Sequence, residues 1–165
     1  MCEVNNLKKT KTPIQMGGEA IFTAISVGFF FILVGFLFVT TPNLFGNTMD
    51  FLKSFELADV PNTGIIFPAP ASASSHIELY QAIIQFSFAL AAFQIVMLVL
   101  RFITQSPWGK RAETMGNLVF WLGAGILVEN FLLQPTQWFV FWSLLIIIIG
   151  VSMIARAIVL AAKQL

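Results

Sequence analysis

The sequence predicts an all-α integral membrane protein, with four transmembrane helices in an antiparallel bundle, both termini in the cytoplasm, and an outer loop holding a short amphipathic helix. Three observations predict it. Of the 165 residues, 58% are hydrophobic and 10% charged, against roughly 25% charged in ordinary soluble domains, so polar side chains are too few to clothe a water-facing surface. The nine basic and eight acidic residues leave uncharged gaps of bilayer length. Lysine and arginine then fall on one side of the topology those gaps define.

The gaps set the spans. Thirty uncharged residues separate Glu19 from Asp50, 22 separate Glu78 from Arg101, and 26 separate Glu129 from Arg156; a spanning helix needs about 20 mostly apolar residues. Helix one is expected over 20–39, where Lys8, Lys9 and Lys11 precede an apolar run too long for a signal-peptide core of roughly 7–15 residues, so it reads as a retained signal anchor. Its phenylalanines, Phe29, Phe30, Phe31, Phe36 and Phe38, form a lipid-facing or partner-facing surface. Cys2 reads as a free cytoplasmic thiol.

The outer loop, 40–76, follows. Asn47 or Thr48 is expected to cap a short helix in which Phe51, Leu52, Phe55 and Ala58 share a face, lying flat on the membrane or on the bundle. Pro61, Gly64, Pro68 and Pro70 read as breaks in regular structure, and Ser75-His76-Ile77-Glu78 as a capping box that starts helix two. The loop is too apolar for a flexible linker and is expected to cap the outer end of the bundle.

Helix two spans 77–103, helix three 115–133 and helix four 137–160, with a cytoplasmic loop at 104–114. Read as one helix, 116–160 would extend roughly 67 Å, over twice the hydrocarbon core. Pro135 instead marks a tight turn between helices three and four. Lys8, Lys9, Lys11, Arg101, Lys110, Arg111, Arg156 and Lys163 then share one side against Lys53 alone on the other, which places both termini in the cytoplasm. The net charge of +1 is a cancellation, because Asp50, Glu56, Asp59, Glu78 and Glu129 fall on the outer side. The whole chain, 1–165, is one domain.

Tyr80, Trp138 and Trp142 near outer helix ends, and Trp108, Lys110, Arg111 and Arg156 at the inner side, are expected as membrane-interface anchors. Three small-residue pairs seven apart, Gly28/Gly35, Ala82/Ala89 and Gly116/Gly123, mark faces where a neighbouring backbone approaches closely.

Chemistry is sparse. One Cys and one His rule out an intrachain disulfide and a multi-ligand Cys/His metal or haem site; no cofactor is indicated, and no phosphate loop or nucleic-acid surface appears. His76 beside Ser74 and Ser75 lacks the geometry of a nucleophile and base. Polar residues inside spans are the remaining leads, since burial in lipid demands a partner. Glu78, Gln81 and Gln85 share a stripe at outer depth and are expected to meet Glu129 and Asn130, as an interhelical hydrogen-bond clasp or as an ion, proton or ligand site. The function expected is a structural or accessory subunit of a membrane complex, or a homo-oligomer, in the cell membrane. Alternatives are a transporter or channel subunit built on that cluster, and a membrane-embedded enzyme acting on a lipid-like substrate.

Overall fold

The computed structural model describes residues 13–61, 63–71, 73–133 and 137–162; the expectations for Cys2, Lys8, Lys9, Lys11, Pro135 and Lys163 fall outside them. It is mostly helical. In chain order come α1 (Pro13–Thr40), α2 (Leu44–Lys53), β1 (Phe55–Asp59), β2 (Ile66–Pro70), a 3-10 turn (Ala73–His76), α3 (Ile77–Ile103), α4 (Trp108–Val128) running into a π-helical turn (Glu129–Leu133), and α5 (Trp138–Ala161). Four helical stretches, Gly18–Thr40, Ser74–Ile103, Trp108–Leu133 and Trp138–Ala161, are long and apolar enough to cross a membrane.

The helices make an open row. α3 packs against both α1 and α4, and α4 packs against α5; among the described residues α1 and α5 have no comparable contact with each other. The first and last helices therefore each leave most of their circumference bare. On α5 only Trp138 and Phe141 are buried, and among the residues of α1 from Gly18 on, Phe22, Leu33 and Leu37. A closed four-helix bundle would have covered a second side of each.

Particular contacts fix the pairing. Phe29 stacks on Phe93 with ring centroids 4.1 Å apart, and Arg101 reaches Glu19 at 3.9 Å, so numbering rises along α1 as it falls along α3. Phe86 meets Trp121 edge to face at 5.6 Å. A Cβ placed on Gly123 would meet Ile148 at 2.8 Å, and one on Gly116 the Ser152 carbonyl oxygen at 3.2 Å, so these glycines let α5 approach α4. At Gly28 and Gly35 packing within the chain is not found: among the described residues nothing lies within 4 Å of a Cβ at either, and both are on the bare side of α1.

Three boundaries also differ from expectation. α4 starts at Trp108, so Lys110, Arg111 and Glu113 occupy its first turns rather than a loop, with Lys110 Nζ donating to Glu113 Oε2 at 2.9 Å one turn on. The short outer helix begins at Leu44, and not at Asn47 or Thr48; Asn43 holds the N-cap position in the left-handed region (φ 49°) without a side-chain cap hydrogen bond. The residue that caps α3 is His76, with no side-chain cap hydrogen bond; Glu78 instead accepts from Asn47 Nδ2 at 2.8 Å, tying α2 to α3.

The largest departure from an all-α fold is the antiparallel hairpin of β1 and β2, which pairs Phe55 with Pro70 through Asp59 with Ile66: β2 lies in the stretch expected to be irregular, and β1 takes Phe55 and Ala58, expected on the face of the short helix, which ends at Lys53. Ala71 N–H donates to Ser54 O, and Val60 N–H to Ile65 O. Alternation along the ladder then makes Glu56/Ala69 and Ala58/Phe67 the hydrogen-bonded pairs and leaves Phe55, Leu57 and Asp59, with Ile66, Pro68 and Pro70, pointing their main-chain groups outward. Pro68 and Pro70 thus occupy the positions at which a missing amide costs the ladder nothing.

Candidate functional site

The hairpin and α2 form a cap over one end of the row, and the main core of the molecule lies beneath it. Ala69, Tyr80, Leu127, Val128, Leu132, Trp138 and Phe141 are its buried members, with Phe51, Phe55 and Ala58 of the cap packed against them. Aromatic edges lock the seam. Phe51 meets His76 at 5.2 Å, Tyr80 at 6.2 Å and Trp138 at 6.1 Å, while Phe55 meets Trp138 at 5.7 Å. Edge-to-face pairs of this kind contribute about 0.5–1.5 kcal/mol each beyond area burial. Trp138 Nε1 donates to the outward carbonyl of Pro68 at 3.0 Å, so the hairpin docks on α5 by its proline-bearing edge. Loop prolines and a helix-start tryptophan, read separately in the sequence, belong to one contact.

Two of the expected interface anchors are therefore inside the protein. Tyr80 is 1% exposed and Trp138 8%, so their rings contact protein. Trp108 and Trp142 keep exposed faces, and Arg156 is exposed. Arg111 stacks its guanidinium over Phe102 at 4.8 Å and Trp108 at 5.1 Å, and Lys110 holds Glu113.

Among the described residues no hydrogen bond joins the polar residues expected to cluster. Glu78, Gln81, Gln85, Glu129 and Asn130 are all exposed. Asn130 Nδ2 donates back to Ile126 O at 2.8 Å within its own helix, and among these five the structure gives no hydrogen bond joining α3 to the π turn. Of them, Glu78 lines a cavity: a polar pocket of 360 Å³ between α2 and the start of α3, walled also by Asn47, Asp50, Ser75, His76, Ile77 and Leu79. Among the described residues no three His, Cys, Asp or Glu converge as metal ligands.

Beside that pocket is a contact absent from the sequence reading. Ser54 Oγ lies 3.2 Å from His76 Nε2, the spacing of a nucleophile and its base. The Ser54 hydroxyl also donates to Phe51 O at 2.7 Å, and with that bond made it accepts from the imidazole tautomer that carries its proton on Nε2. The pair fastens the end of α2 to the 3-10 turn.

An apolar cleft of 840 Å³ opens between the hairpin and the first turns of α5, lined by Val60, Pro61, Ala69, Pro70 and Ala71 on one wall and Trp138, Phe139, Val140 and Leu144 on the other, with Ser74, Gln137 and Ser143 supplying polar groups. Its size is that of a small-molecule site. At the opposite end of the row Arg101 is 9% exposed, donating from Nη1 to Lys110 O at 2.6 Å and lying 5.7 Å over the Phe22 ring. It joins α1, α3 and the start of α4. Sequence reasoning placed Arg101 among the inner charges; its position between helices was not legible, since nothing marks which face of α3 meets α1. No family model, curated protein or solved structure matches the chain, and the functional reading rests on its own residues.

Proposed function

We propose that this protein is a multi-pass membrane subunit of structural or accessory type, whose helix row is completed laterally by other chains, either copies of itself or different membrane proteins. The observation that carries the reading is the open row. α1 presents Ile21, Phe31, Ile32 and Val39, each at least 60% exposed, and α5 presents Ile146, Met153, Ile154 and Ile158, each above 60%, while among the described residues Glu78, Gln81, Gln85, Glu129 and Asn130 are exposed and no metal-binding cluster is formed. In this reading the four apolar helices cross the bilayer in antiparallel succession. Arg101, Lys110, Arg111 and Arg156 lie at the cytoplasmic face with both termini, and the cap lies outside, which satisfies the positive-inside rule; the cell membrane is the compartment proposed. Native mass spectrometry from lipid nanodiscs is expected to release the chain in assemblies, and a population consisting of single copies without partners would contradict the reading.

A second reading, favoured by the 840 Å³ cleft, is that the protein holds a lipid-like amphiphile between hairpin and α5. The lining is apolar where it continues the bilayer, and Ser74, Gln137 and Ser143 are placed to meet a headgroup. Lipid analysis of the purified protein should show one lipid class enriched, and Val140→Trp should remove it. Equal lipid content in both proteins would exclude the site.

A further inference from the structure

We infer that the free edge of β1 is a strand-addition surface whose occupant is β1 of a second copy of this chain, paired antiparallel about Leu57. The two edges of the hairpin are chemically unlike. On β2, Pro68 and Pro70 remove two of the three outward amides, and the Pro68 carbonyl is already taken by Trp138; that edge is closed to another strand, as exposed edges in monomeric proteins usually are. On β1 the outward groups of Phe55, Leu57 and Asp59 are three N–H donors and three C=O acceptors with no proline among them. Leu57 is 79% exposed, and Glu56 and Asp59 beside it are exposed as well, while Phe55 at the start of the strand is half-buried against Phe51 and Trp138.

The strand is complementary to itself. A two-fold axis through Leu57 sets Leu57 opposite Leu57, Phe55 opposite Asp59 and Glu56 opposite Ala58, so no like charges face directly. The same register aligns outward residues with outward residues and forms six main-chain hydrogen bonds. The axis is perpendicular to the sheet. Ala58, Phe67 and Ala69 share one sheet face, with Ala69 in the core, Ala58 packed against it and Phe67 against Phe139, while at the start of β1 Phe55, on the other face, packs against Trp138. The pairing rests on the membrane reading above, since a bilayer would hold every copy's β1 edge at one height; a five-residue strand alone is a small interface.

The test uses the full chain in native membranes. In a Cys2→Ser background, Leu57→Cys is expected to oxidise to a disulfide-linked dimer, because directly paired Cα atoms about 5.5 Å apart lie within disulfide range. Glu56→Cys, displaced by two residues from its own copy, is expected not to cross-link. Leu57→Pro removes an outward amide without touching the β1–β2 ladder, and Leu57→Lys sets two cations face to face; each is expected to lower the dimer fraction, read by subunit counting, at least tenfold. An unchanged dimer fraction in both variants, a self-cross-link stronger at Glu56→Cys than at Leu57→Cys, or Leu57→Cys trapping a different protein overturns the pairing. Absence of wild-type protein from the membrane fraction overturns the membrane reading instead, and the two failures are separable.

Discussion

The indole N–H of Trp138 donates to the carbonyl oxygen of Pro68 at 3.0 Å, joining residues 70 positions apart. It is the bond by which a proline-bearing strand edge is fixed to the start of a membrane-length helix. Trp138→Phe keeps most of the ring and leaves the carbonyl without its donor. The expected loss is about 1 kcal/mol, against roughly 3–5 kcal/mol for Trp138→Ala, which empties the centre of the cap–helix core. Thermal unfolding in one detergent, with both variants compared to wild type, measures the two.

Tyr80 predicts the opposite sign. Its ring is 1% exposed and its hydroxyl is buried with no hydrogen-bond partner among the described residues, and an orphaned polar group of this kind costs about 1–3 kcal/mol. Tyr80→Phe removes the hydroxyl and keeps the edge contact to Phe51. The variant should therefore unfold at the wild-type temperature or above it; a clear decrease would mean that the hydroxyl has a partner.

At the other end, Arg101 spans three helices through Glu19, Lys110 O and Phe22. Truncating one member of a buried charged contact costs about 3–5 kcal/mol when the partner is left uncompensated; Glu19 keeps partial exposure, so Arg101→Ala is expected at the lower end. Arg101→Lys should rescue little, since an ammonium lacks the guanidinium's planar spread of donors. The readout is the same melt, joined to a double-mutant cycle with Glu19→Gln that isolates the pair. Additive effects would show that the 3.9 Å contact contributes nothing.

Glycines divide by what faces them. Gly116→Ala places a Cβ 3.2 Å from the Ser152 carbonyl oxygen, a main-chain atom that moves only with its helix, and should cost about 1–3 kcal/mol. Gly28→Ala and Gly35→Ala meet open space and, in isolated chains, should gain up to about 1 kcal/mol from helix propensity. If either instead lowers the assembled fraction while raising the stability of the single chain, the bare side of α1 is where a neighbouring chain seats.

The helices were legible in the sequence and the way they assemble was not. Gaps between Glu19 and Asp50, Glu78 and Arg101, and Glu129 and Arg156 locate three spans because a charge in lipid is costly wherever the helix faces. Lys110, Arg111 and Glu113 hid the first turns of α4, because charges that pair along a helix or stack on Trp108 look in sequence like a loop. Pro68 and Pro70 concealed β2, since a proline's compatibility with a strand depends on ladder parity, which a single strand does not reveal. The clasp between Gln85 and Glu129 was read from a stripe on one helix. A helix apolar nearly all round has no polar face to say which side meets a neighbour, and α3 turns Ala82, Ser87, Leu90, Ala91 and Met97 inward while Gln81 and Gln85 remain exposed.

The measurement that bears most directly on the lateral assembly of an open helix row is photo-cross-linking in native membranes from Ile147 on α5 and Phe31 on α1, which are 58% and 68% exposed. Covalent protein adducts of defined mass from at least one of these positions, with lipid adducts a minority, are the predicted result. Lipid adducts alone from both positions would contradict it, and would make the row a free-standing membrane protein.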